Sequence, residues 1–293
     1  MKKIILIFAI TAVLFSCNAG KTKKKESGKK VITVSILPQK TFVEKIAGDD
    51  FEVNVLIPSG ASPAAYTLLP SQLKDISRSV VWFRIGYIGF EYSWKEKIEQ
   101  ANTSMLVVDL SEGLDLIADE KEQHGDHIHM GGVDPHIWMS PVLVKQMAKR
   151  ITDVLSDLNP EKEAVYKANC LKFVNEIDKL NIHITGLLKE FKGGKVIVYH
   201  PSLSYFARDY GLVQYSLEPG GKETTPQHMA KIVDLANKEN IRKIYIQSEF
   251  DREHARVFAE EIKGEIIQIW PLNPDWQNNL LEITKTLVDN FQE

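Results

Sequence analysis

The stretch from Asn159 to about Phe191 limits the possible folds most. Ala164, Cys170, Phe173, Ile177, Leu180, Ile184, Leu187 and Leu188 keep a helical period along it, and no glycine interrupts before Gly186. Asn159-Pro160 reads as an N-cap and first turn, and Gly193-Gly194 stops the run. A helix of about 30 residues is roughly 45 Å long at about 1.5 Å per residue. That exceeds the usual globular helix and predicts a rigid strut between two domains.

The flanking regions alternate between strand and helix. Strands are expected over Val31–Ile36, Phe51–Ile57, Val80–Ile85 and Met105–Leu110, with helical segments over Thr41–Ala47, Pro70–Ile76 and Glu91–Gln100. Pro141–Leu158 is amphipathic and helical, with Ser140 as its cap. Beyond the strut, strands Lys195–Tyr199, Val213–Leu217, Lys243–Gln247 and Glu265–Ile269 alternate with helices Ser204–Tyr210, Pro226–Asn237, Asp251–Ile262 and Asn278–Phe291. The expected fold is α/β: two similar lobes with mainly parallel four-stranded sheets, joined by one long rigid helix. The boundaries fall at 31–158 for the first lobe, 159–192 for the linking helix and 193–293 for the second lobe.

The N-terminus predicts export. Lys2 and Lys3 precede an apolar run from Ile4 to Phe15, too short to span a bilayer, so residues 1–16 read as a signal peptide. Leu14-Phe15-Ser16-Cys17 resembles a lipoprotein signal box, which implies cleavage before Cys17 and a lipid on it. Residues 17–30 are Lys-rich and lack large apolar side chains, as a flexible tether would. A membrane-anchored lipoprotein facing the periplasm or the cell exterior is the expected location. With Cys17 lipidated, Cys170 has no intrachain partner and reads as a small core residue.

Charge argues about partners. Residues 1–30 hold eight of the 36 Lys and Arg and one of the 39 Asp and Glu, leaving a body of 28 basic and 38 acidic groups, net −10. Such a body disfavours nucleic acid and attracts cations. A monomer is expected.

Half of the eight histidines, His124, His127, His129 and His136, fall within thirteen residues. The first three lie in an aperiodic His-rich loop, 124–133. His136 differs, because Pro135 fixes the backbone before it and a helix cap follows at Ser140-Pro141. Neutral imidazole is the commonest zinc ligand, so one aimed histidine and three offered ones suggest a metal site. Strand ends bring further candidates, namely Tyr199-His200, Gln247-Ser248-Glu249 and Trp270.

These motifs together resemble the substrate-binding components of zinc and manganese ABC transporters, the TroA-like (cluster A-I) family, in its zinc-type branch. Pro58-Ser59-Gly60-Ala61-Ser62-Pro63 is similar to the first ligand loop of the family. Asp134-Pro135-His136-Ile137-Trp138 with Ser140-Pro141 resembles its most specific motif. His200-Pro201-Ser202, Tyr205-Phe206-Ala207 and Tyr210-Gly211-Leu212 resemble the second-lobe histidine motif, and Glu218, Gly221-Lys222-Glu223 and Pro271-Leu272 before Trp276 also fit. The resemblance implies metal delivery to a membrane permease, with no catalysis. His136 and His200 carry over as ligands. Ala64 stands where the family commonly has histidine, and Trp270 where it commonly has aspartate.

Two readings follow from those departures. In one, His136, His200 and Glu249 hold zinc, or manganese, with His124, His127 or His129 completing the tetrahedron. In the other, the site has weakened or lost metal and takes another small ligand or a protein partner, with Trp270 walling an apolar pocket. An exported metalloenzyme is disfavoured, since no HExxH helix, nucleophile elbow or phosphate loop is present.

Overall fold

The computed structural model describes residues 28–118 and 132–292. The signal segment, Cys17 and the tether up to residue 27 lie outside the described residues, as do His124, His127 and His129.

The first lobe runs β1 (Val31–Val34), α1 (Leu37–Ala47), β2 (Glu52–Val55), α2 (Pro70–Ile76), β3 (Ser79–Arg84), α3 (Gly89–Ala101) and β4 (Leu106–Asp109). A buried turn, Ile137–Met139, leads into α4 (Pro141–Leu158), and α5 (Glu163–Leu188) follows. The second lobe runs β5 (Lys195–Val198), α6 (Ser204–Tyr210), β6 (Val213–Ser216), α7 (Pro226–Lys238), β7 (Lys243–Gln247), α8 (Glu253–Glu261), β8 (Glu265–Ile269) and α9 (Trp276–Gln292).

Both sheets are fully parallel and repeat one topology, β2-β1-β3-β4 and β6-β5-β7-β8. In such sheets the central strands are covered on both faces, and β1 is accordingly buried at all four positions. The expected α/β architecture of two four-stranded lobes around a long helix is what the chain forms.

Local departures have plain causes. α1 begins at Leu37, four residues before the expected Thr41, because Pro38 suits a first helical turn and Gln39 caps it. The Gln39 carboxamide oxygen accepts from the amides of Ser35 and Ile36, and its nitrogen donates to the Phe83 carbonyl, tying α1 to β3. The strut is 26 residues of α-helix with a short 3-10 turn at each end. The first of those turns, at Pro160–Lys162, separates α5 from α4.

α5 buries Tyr166, Cys170, Phe173, Ile177, Leu180, Ile184 and Leu188 along one stripe. It packs on α1 and α4 of the first lobe and on α9 of the second. Phe173 stands at the junction, 5.9 Å from the Phe42 ring and 6.5 Å from Trp276. One continuous apolar core therefore joins the first lobe, α5 and one face of the second sheet, while a smaller core lies under α7 and α8. The lobes are packed against each other through this shared core.

Phe173→Ala should cost about 3–5 kcal/mol, the usual range for deleting a buried phenyl ring. Urea unfolding would read it, and a loss under about 1 kcal/mol would show that the joint collapses around the gap.

Candidate metal centre

The cleft lies beyond the carboxyl ends of the strands of both lobes, where open α/β sheets bind ligands. His136 follows the 132–135 segment of the first lobe and is 8% exposed. The turn after it is an anchor: Ile137, Trp138 and Met139 are buried, and the Trp138 indole donates to the Pro271 carbonyl at 3.0 Å. The Trp276 indole donates in return to the Trp138 carbonyl at 2.7 Å. Ser140 caps α4 by accepting from the Leu143 amide, so His136 sits between a pinned turn and a rigid helix.

His200 lies just beyond β5. The Gln247 carboxamide at the end of β7 donates to the His200 carbonyl and to the Ser202 hydroxyl, both at 2.6 Å. Gly221, at φ +73°, faces the ring, and a Cβ there would stand 3.0 Å from the His200 Cε1. Phe250 stacks on the same ring at 5.5 Å and 30°.

The two imidazoles meet across the lobes with ring centroids 5.3 Å apart, tilted by 72°. Each is held by a carboxylate through Nδ1: His136 to Asp134 at 2.8 Å, and His200 to Glu218 at 2.9 Å. Asp134 also accepts the His136 backbone amide at 2.8 Å. An ionised carboxylate only accepts hydrogen bonds, so each Nδ1 carries the proton and each Nε2 keeps its lone pair. Carboxylate–imidazole pairs of this kind fix the tautomer and raise the basicity of metal-binding histidines.

The charges are consistent with that tautomer. Burial, with His136 adding to it, lowers the proton affinity of His200 below that of an ordinary imidazole against the pull of Glu218. For Asp134, burial alone acts upward, but His136 and the hydrogen bonds from His136 and Ser204 outweigh it and hold the carboxyl below its usual range. Burial, and then Glu218, push the Tyr199 phenol up to about 12, leaving it a permanent donor beside that carboxylate.

The cleft encloses a cavity of about 190 Å³. Glu249 lines it together with His136 and His200. Burial raises the Glu249 carboxyl above its usual range, while its own backbone amide and Ser248 oppose the shift. Ala64 also lines the cavity, on a loop held where the Phe90 amide donates to the Pro63 carbonyl at 3.0 Å. Among the described residues no three His, Cys, Asp or Glu side chains stand close enough to hold a metal ion. The described chain thus contributes two aimed imidazoles, with Glu249 on the same cavity wall.

The expected role of Trp270 is corrected. It packs against the core, and Pro271 and Leu272 line the cavity instead. His228, outside the cleft, is half-buried and its Nε2 pairs with the Ser216 carbonyl at 2.8 Å. Asp134 was legible as part of Asp134-Pro135-His136, but its orienting role was not read from the motif. Glu218 and Gln247 reach His200 only through the order of β5, β6 and β7, which spacing along the chain does not reveal.

A two-lobed, parallel α/β binding protein with a cleft between its lobes is the class these features define. Residues 32–293 match the family model of the zinc-uptake complex component A, periplasmic (ZnuA), and the chain belongs to that family. It is a family of transport binding proteins rather than enzymes. A "Putative metal-binding protein" of Chlamydia trachomatis is 28% identical over 280 residues, covering 95% of this chain and 97% of that relative. The zinc-binding lipoprotein AdcA of Streptococcus pneumoniae is 26% identical over 270 residues, covering 89% of this chain but 53% of AdcA. A crystal structure of ZnuA superposes with a TM-score of 0.82 at 35% identity, covering 89% of this chain and 99% of the other. The periplasmic zinc-binding protein TroA of Treponema pallidum has the same fold at 17% identity, with a TM-score of 0.79 over 90% of this chain and 99% of TroA.

Because the Asp134 carboxyl is held below its usual range when folded, its contribution to stability is present above the ordinary carboxylate range and is lost as pH falls through the folded value. Wild type should therefore lose more stability between about pH 6 and pH 3 than Asp134→Asn, compared by urea midpoints. Parallel curves for the two proteins would contradict this.

Proposed function

We propose that this chain captures a divalent metal ion, zinc before manganese, outside the cytoplasm and delivers it to the membrane permease of an ABC transporter. The observation that carries the reading is the facing pair His136 and His200, each aimed by its own carboxylate and each presenting Nε2. Nitrogen-rich sites favour zinc over manganese, which prefers oxygen ligands. Zinc sites are usually tetrahedral, so two further ligands are needed. Glu249 is one proposed ligand. The others are His124, His127 and His129, whose loop rejoins the described chain at Gly132, beside the cavity-lining Val133.

The lobes are proposed as 31–158 and 193–293, joined by 159–192, with lipid on Cys17 holding a monomer to the membrane through the 17–30 tether. The export signal of residues 1–16 and the lipoprotein name of AdcA support this placement. The second reading, a family member with a weak or lost metal site that binds another small ligand or a partner, is favoured by Ala64 and by the apolar walls formed by Pro63, Tyr87, Phe250 and Leu272.

Metal analysis of untagged protein and competitive chelator titration of the apo form separate the two. About one tightly held zinc per chain is expected, lost as pH falls through and below the imidazole range near about pH 6.5, since a protonated imidazole cannot ligate. Zinc content near zero with no uptake of added zinc would overturn metal capture and favour the second reading.

A further inference from the structure

We propose that Tyr205, a second-lobe residue, is the positioning residue that aims the first-lobe imidazole of His136. This rests on the metal-capture reading for its purpose, but not for its geometry. Tyr205 lies in the first turn of α6 and is fully buried. Its hydroxyl donates to the Asp134 carbonyl at 2.7 Å and accepts from the Ile117 amide at 3.1 Å. The Asp134 amide donates to the Ile117 carbonyl at 2.9 Å, so the three groups close a ring of hydrogen bonds. The neighbouring Ser204 hydrogen-bonds the Asp134 carboxyl and accepts from Gln214 at 2.7 Å. Both the carbonyl and the carboxylate of Asp134 are therefore held by one turn of the opposite lobe.

The rest of α6 makes the same crossing. Arg208 donates to the Asp115 carbonyl at 2.8 Å, and the Ser140 hydroxyl pairs with Asp209. Burial, which dominates, and the nearby Asp134 charge push the Tyr205 phenol up to about 12 against the Ile117 hydrogen bond, so it remains a donor at any physiological pH. The segment from His200 to Tyr205 thus carries one imidazole and aims the other. A movement that parts the lobes at this contact frees His136 from its aim, which makes lobe docking and metal retention one event.

The decisive variant is Tyr205→Phe, which keeps the buried ring and removes only the hydroxyl. Tyr210→Phe is the matched control: its phenol is also buried on α6, but it bonds Asn181 at 2.9 Å, away from the site. Nitrogen–proton NMR of the apo protein reads the exchange of the His136 Nδ1–H with solvent, a signal that general loss of stability alone does not single out. Tyr205→Phe should speed that exchange tenfold or more relative to the other histidines, and Tyr210→Phe should leave it as in wild type. Ser204→Ala, at a half-buried position, should move it in the same direction. In chelator titrations, Tyr205→Phe should weaken zinc about tenfold and Tyr210→Phe should not.

An Nδ1–H exchange in Tyr205→Phe equal to wild type, or equal shifts in both phenylalanine variants, would overturn the positioning role. A specific shift in the apo protein together with a wild type that takes up no zinc would uphold the positioning and overturn the proposed function.

Discussion

The hydrogen bond from each imidazole Nδ1 to its own carboxylate is the constraint on which the cleft depends. Without Asp134 and Glu218, His136 and His200 could turn or exchange tautomers, and a pair of rings 5.3 Å apart would offer no defined lone pairs. At His200, burial disfavours the charged ring and outweighs the pull of Glu218 toward it. Fixing a tautomer takes more than proximity: the carboxylate must itself be immobile. Asp134 is held at its carbonyl and its carboxyl by the Tyr205 and Ser204 side chains of the second lobe, and Glu218 follows a strand paired in register with β5.

That immobility is inherited from the fold. The imidazoles come from lobes whose sheets repeat the same strand order, and the shared core around α5 holds those sheets together. Phe42, Phe173 and Trp276 pack ring to ring where α1, α5 and α9 meet, and the Trp276 indole reaches the turn directly after His136. The packing that stabilises the molecule thus also sets the distance across the site.

Much of this was legible in the chain. Alternating strand and helix segments around one long helical period predicted two parallel α/β lobes, because those patterns report burial on known faces. Asp134-Pro135-His136 and His200-Pro201-Ser202 pointed to the two facing histidines. What escaped was set by register and packing. Glu218 lies 18 residues from His200 and meets it only because β6 pairs with β5. Tyr205 reads as one more buried aromatic until its hydroxyl is seen bonded across the lobes. Trp270 was misplaced because its position relative to Pro271-Leu272 suggested the cleft, whereas the indole turns into the core. Glu249 does share the cavity with the two histidines, yet no spacing rule could fix its reach.

The central claim is that His136 and His200 together form the fixed part of a zinc site. X-ray absorption fine structure of zinc-loaded wild type, His136→Ala and His200→Ala tests it most directly. Wild type should show at least two imidazole nitrogens at about 2.0–2.1 Å from zinc. Each substitution should remove one of them. Zinc bound with an unchanged imidazole shell in either variant would place the ion elsewhere and contradict the account.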